Sequence, residues 1–345
     1  MLMRRKLLFL LTFLLLVCLG LIFIPRQYTV PAFKADPSFQ YWDLPTGSHI
    51  GYLHIPAKGK AKPYPVIFLQ GGPGGFVTPS IISLFSQVAN SGYEVFLYDQ
   101  VGSGHSARLT DIRAYTATRH KEDLNAIVGK TGAEKVILIG QSWGAILATL
   151  YTADYPDRVA GIVLSGPGPL IPVNHSLAQI PAPDSLHLKP PAFSNAEANR
   201  KVNNWRSKAA AFFALNFGAK LMPDREADAF QTMLNIELNK STVADQRHLR
   251  PALGGGGYYA QLMTVNSFWQ TPDPRQKLQH CAVPLLLLKG QYDNQPWGYA
   301  TEYLGLFPDH RLQVIPNAGH VIQAEQRAAY LSAVLAFLPV VSGNN

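Results

Sequence analysis

The run LLFLLTFLLLVCLGLIFI at positions 7–24 carries no charge over 18 residues, follows Arg4, Arg5 and Lys6, and is closed by Pro25 and Arg26. At ~1.5 Å per helical residue it would extend about 27 Å, close to the hydrocarbon thickness of a thin bilayer. The pattern therefore predicts a membrane anchor over residues 1–27, a transmembrane helix. The basic end would stay in the cytoplasm and the rest of the chain would lie outside it. A cleaved secretory signal, releasing a secreted protein, is the alternative expectation.

Beyond the anchor the pattern alternates. HIGYLHI, PVIFL, EVFLY, KVILI and VAGIVL read as strands, most of them short and buried. SIISLFSQVAN, TRHKEDLNAIVGK and WGAILATLYTADY fall between them with helical spacing. Strand and helix in turn predict a mostly parallel sheet with helices on both faces. From Pro169 to Pro274 the rhythm gives way to proline-rich loops and helical stretches, one opened by SNAE, where Ser194 and Glu197 have capping-box spacing. PLLLL and RLQVI then resume as strands, followed by one helical run, QAEQRAAYLSAVLAFL. The expected organisation is a core over 28–169 and 276–345, interrupted by a helical cap over 170–275.

The 345 residues, 47% of them apolar, can bury a large core. The formal charge of +8 is scattered, with no basic stripe or recognition motif, so no nucleic-acid partner is expected. Cys18 and Cys281 offer no disulfide framework.

The chemistry sits in GQSWGA at 140–145, between the strand KVILI and the helix WGAILATL. A serine on that turn is forced into a strained conformation that exposes its hydroxyl, and Gly140 and Gly144 leave room where strand and helix approach. A serine hydroxyl needs a base, and the base needs an acid to orient it. Asp293 follows PLLLLKGQY and His320 follows RLQVIPNAG, so both emerge at the sheet edge where Ser142 lies. The chain order Ser, Asp, His is that of the α/β-hydrolase fold. Asp99 ends a strand on the other side of the nucleophile and is read as shaping its loop. Trp143 is the expected oxyanion donor at the start of the helix, and Gly72, in FLQGGPGGF, is the second. No metal or cofactor is implied: there is no Cys/His ligand spacing, and the GGPGG loop lacks the lysine of a phosphate-binding loop.

QGGPG, DQVGSGHS and GQSWGA resemble the HGGPG, DQRGxGxS and GGSWGS of proline iminopeptidase-like α/β hydrolases of the S33 peptidase type. The resemblance covers 48–168 and 284–336 and covers the cap poorly. Gln70 stands where that family has His and Val101 where it has Arg, so the loop must be braced differently. The resemblance implies cap glutamates that hold a substrate's ammonium, one of them directly after a tryptophan. Here Trp205 is followed by Arg206, and ALGGGGYYAQL offers no acid. Glu226, Asp228 and Glu237 are the remaining cap acids. Phe212, Phe213, Phe217, Tyr258, Tyr259 and Trp269 are candidate apolar pocket walls. The expected partner is a small ester, amide or short peptide, cleaved through an acyl-serine. A proline iminopeptidase proper, with a cap carboxylate on the amino terminus, is one alternative. A non-catalytic ligand-binding protein on the same fold is another.

Overall fold

The computed structural model of the chain describes residues 2–249 and 251–343. Helix α1 (Leu2–Ile22) precedes an eight-stranded sheet. Its first half runs β1 (Gln40–Asp43), β2 (His49–Ile55), β3 (Val66–Leu69), α2 (Pro79–Asn90), β4 (Val95–Tyr98), α3 (Ala117–Lys130), β5 (Val136–Gln141), α4 (Trp143–Asp154) and β6 (Val159–Ser165). Four longer helices follow: α5 (Asn195–Val202), α6 (Trp205–Phe217), α7 (Asp224–Leu238) and α8 (Tyr258–Asn266). After the short α9 (Arg275–Leu278) come β7 (Leu285–Gly290), α10 (Trp297–Leu306), β8 (His310–Ile315), α11 (Ile322–Glu325) and α12 (Arg327–Val341).

The strand order is β1-β2-β4-β3-β5-β6-β7-β8. Strands β1, β2 and β4 pair antiparallel, and every pairing from β4 through β3 to β8 is parallel. The central strands are buried on both faces, which is why they read as unbroken apolar runs. In β3, Ile67 and Leu69 pack into one core, while Val66 and Phe68 pack into the other. Strand β5 divides in the same way, with Val136 and Leu138 on one side and Ile137 and Ile139 on the other.

One expectation about the elements needs correction. The run from 323 to 338 is two helices, because Gln326 leaves helical geometry (φ −120°, ψ 56°) between α11 and α12. Among the described residues no helix is long and apolar enough to cross a membrane. Positions 15, 18 and 19 of the expected run lie outside the described side chains. What α1 does show is a row of exposed apolar side chains, Leu8, Phe9 and Phe13 among them. Its C-terminal end meets the helical stretch, where Arg206 donates to Ile22 O and Glu226 Oε1 accepts the Arg26 N–H at 2.9 Å.

Candidate active site

Strand β5 stops at Gln141 and α4 starts at Trp143, leaving Ser142 alone on the turn with φ +55° and ψ −116°. A non-glycine residue costs energy in that left-handed region, and the surroundings impose it. Ser142 N–H is tied to Ser165 O on β6 at 3.0 Å. The helix packs so tightly behind it that a Cβ at Gly140 would strike Gly144 O, and one at Gly144 would strike Leu69 O. Both glycines of the motif are therefore needed for space. Trp143 is the first residue of α4, a position whose N–H has no acceptor within a helix.

The loop after β3 lies alongside. A Cβ at Gly71 would stand 3.3 Å from Ser142 Cβ, and Gly72 holds φ +120°, which favours glycine. Gln100 braces this loop: its Nε2 donates to Gln70 O (2.9 Å) and Gly71 O (3.1 Å), and its Oε1 accepts the Gly74 N–H (3.0 Å). Gln70, the replacement for the family histidine, contributes its backbone carbonyl, and its buried side-chain Nε2 has no hydrogen-bond partner among the described residues. Asp99 shapes the neighbouring loop by accepting the Val77 N–H at 2.6 Å and the His105 N–H at 2.7 Å.

Asp293 and His320 come together at the ends of β7 and β8. Gly290 permits this, since any side chain there would collide with Gly319 O. His320 Nδ1 lies 2.8 Å from Asp293 Oδ1, and both residues are buried. Glu325 secures the histidine loop, its carboxylate accepting the Gly319 N–H at 2.6 Å and the Ala244 N–H at 3.0 Å. Behind the aspartate lies Lys289, only 3% exposed, whose Nζ donates to Asp293 Oδ2 (3.1 Å) and Gln295 O (2.9 Å). Burial pushes the Asp293 carboxyl up, but Lys289 and His320 outweigh it and hold it down at about 2. Sequence reasoning missed Lys289, Gln100 and Glu325. Lys289 had a legible signal, a lysine closing an otherwise apolar strand four residues before the aspartate.

Ser142, His320 and Gly72 line one cavity of about 400 Å³. The alpha/beta hydrolase fold family matches residues 64–326, about three quarters of the sequence. The chain belongs to the α/β-hydrolase fold family. It is similar to the proline iminopeptidase of Lactobacillus delbrueckii subsp. bulgaricus, with 36% identity over 126 residues, 35% of this chain and 42% of that protein. The chain thus spans less than half of that relative's length. A probable proline iminopeptidase of Leptolyngbya boryana is 25% identical over 317 residues, 88% of this chain and 94% of that protein. The crystal structure of proline iminopeptidase from Mycobacterium smegmatis has the same fold, with a TM-score of 0.58, 20% identity and coverage of 88% of this chain and 99% of that one.

The cavity of this α/β hydrolase is not walled as expected. None of the six aromatic residues named as candidates lines it. Phe212 and Phe217 face solvent, Trp269 is 73% exposed, and Tyr258 and Tyr259 pack into the core. Nor do the three acids reach it. Glu226 grips the buried Arg206 at 2.5 and 2.6 Å, Asp228 pairs with Arg108 at 2.8 Å, and Glu237 pairs with Lys201 and Lys240, each at 2.8 Å. Instead, nine of the 21 lining residues are Asn or Gln, and none is Asp, Glu, Lys or Arg.

Proposed function

We propose that this α/β hydrolase is a serine hydrolase that cleaves an ester or amide, including the bond after an N-terminal proline, through an acyl-serine. The observation that carries this reading is the buried His320–Asp293 contact at 2.8 Å in the cavity that the strained Ser142 also lines. In this reading Ser142 attacks the carbonyl, and His320 takes the hydroxyl proton and returns it to the leaving group. Asp293 holds the imidazole with Nδ1–H toward its carboxylate, leaving Nε2 for the proton transfer. The Gly72 and Trp143 N–H groups receive the tetrahedral oxyanion. The helical stretch over 170–275 acts as a cap. A proline iminopeptidase proper would need a free cap carboxylate, and the three acids in question are already paired with basic side chains.

The test is turnover of p-nitrophenyl acetate by purified protein. Ser142→Ala should lower kcat by something on the order of 10⁶-fold with the fold retained. Undiminished turnover in that variant would end the reading.

Membrane attachment through residues 1–27, with the hydrolase on the extracytoplasmic side, belongs to the same proposal. It rests on the uncharged run and its flanking Arg4, Arg5 and Lys6. Full-length protein should sediment with membranes and resist carbonate extraction, whereas a chain beginning at Tyr28 should remain in the supernatant. Complete carbonate extraction of the full-length protein would refute attachment.

A further inference from the structure

The cavity around Ser142 is unusual in what recognises its contents. Helix α7 and its C-cap present Gln231, Asn235 and Asn239 at i, i+4 and i+8, one face of the helix, to the cavity. Gln261 on α8 joins them, as do Gln141 and Gln70 from the sheet edge. Gln231 Nε2 donates to Asn235 Oδ1 at 2.9 Å, which fixes both amides and leaves Gln231 Oε1 and Asn235 Nδ2 without a hydrogen bond among the described residues. The side chains of Gln141, Asn239 and Gln261 make no hydrogen bond among the described residues. Gln70 Nε2 has no partner there although the residue is only 7% exposed.

Each carboxamide offers donors and an acceptor together, and a hydroxyl does the same. Among the described residues, an ammonium would find no carboxylate on these walls, and a carboxylate would find no Lys or Arg. An alkyl chain would strand the buried amides without partners, which is costly. Uncharged groups that donate and accept at once meet every one of these constraints.

We propose that the group held beside Ser142 is a neutral polyhydroxyl moiety, a sugar or similar polyol, carrying the ester to be cleaved. The cleavage rests on the serine-hydrolase reading; the recognition stands on the amide walls alone. The experiment uses full-length Ser142→Ala protein, titrated calorimetrically with methyl 6-O-acetylglucopyranoside and with hexyl acetate, which share one acyl group. The glucoside should bind at least tenfold more tightly. Gln261→Leu and, separately, Asn239→Leu in the same background should each weaken glucoside binding at least fivefold without weakening hexyl acetate binding, with thermal unfolding confirming that the variants are folded. Hexyl acetate binding as tightly as the glucoside, or glucoside binding indifferent to both folded variants, would overturn the proposal. Turnover of p-nitrophenyl acetate by the wild type separates the two ideas. Preferred glucoside binding without any turnover would sink the hydrolase reading and uphold the recognition.

Discussion

Lys289 shows how one residue sets the state of another. Its ammonium is buried against a carboxyl whose pKa burial pushes up, and together with His320 it outweighs burial and holds Asp293 down at about 2. In the unfolded chain an aspartate titrates near ~3.9. The folded value is the lower one, so the stability contributed by Asp293 is complete above about pH 4 and is lost as pH falls toward 2. Removing one partner of a buried pair leaves the other uncompensated. Lys289→Met should therefore destabilise the protein at pH 7 by about 3–5 kcal/mol. The difference from wild type should shrink as pH falls from 4 toward 2, where the wild type loses its own advantage. Urea unfolding of both proteins at pH 7 and pH 3 measures this; a difference independent of pH would mean that Lys289 acts only through packing.

Elements differ in how far the sequence betrays them. Strands β3, β5, β6 and β7 are buried on both faces, so their apolar runs were legible, and with them the positions of Ser142 and Asp293 just beyond strand ends. His320 was legible for the same reason, although β8 is a half-exposed edge strand. Strand β1 went unread because QYWD is four residues long, largely exposed, and an edge strand whose sheet neighbour is β2. The C-terminal helices merged in the sequence because nothing in QAEQRAA announces the break at Gln326. The helical stretch was the least legible. Its aromatics look like pocket walls, yet which face of each helix meets the cavity depends on tertiary packing. The polar stripe of Gln231, Asn235 and Asn239 turned inward, while Phe212 and Phe217 turned out. The function of α6 and α7 follows from that packing. With Glu226 committed to Arg206 and Asp228 to Arg108, no acid among the described residues lines the cavity to hold an ammonium. Acetylating the amine of a proline amide should therefore change kcat/KM less than about tenfold, the factor equivalent to ~1.4 kcal/mol. A loss of a hundredfold or more in side-by-side assays would show that one of these acids leaves its partner to bind the amino terminus.

For the molecule as a whole, the dependence of folding on pH should be dominated by groups that must stay in one charge state. His120 on α3 packs edge-on to Trp143, with its Nε2 3.1 Å from Thr264 Oγ1 on α8, so it joins the helix behind Ser142 to the helical stretch. Burial, with a smaller contribution from the Arg119 charge, holds its pKa down at about 3. An unfolded histidine titrates near ~6.5. Because the folded value is the lower one, the stability it contributes is complete above about pH 6.5 and is lost as pH falls toward 3, at up to ~1.4 kcal/mol per pH unit. The wild type should lose about 2–3 kcal/mol between pH 6.5 and 4.5 from this source, and His120→Gln should lose less than half as much. Equal losses in the two proteins, measured by denaturant unfolding, would remove His120 as the cause.

Whether the fold delivers one activated serine is read out by treating the intact protein with a fluorophosphonate and mapping the adduct by peptide mass spectrometry. Only a serine with a base at hand reacts readily with such a probe. A single adduct should form on Ser142, abolished in His320→Ala and in heat-unfolded protein. No adduct on the folded protein, or an adduct on Ser142 that survives His320→Ala undiminished, would contradict an activated serine.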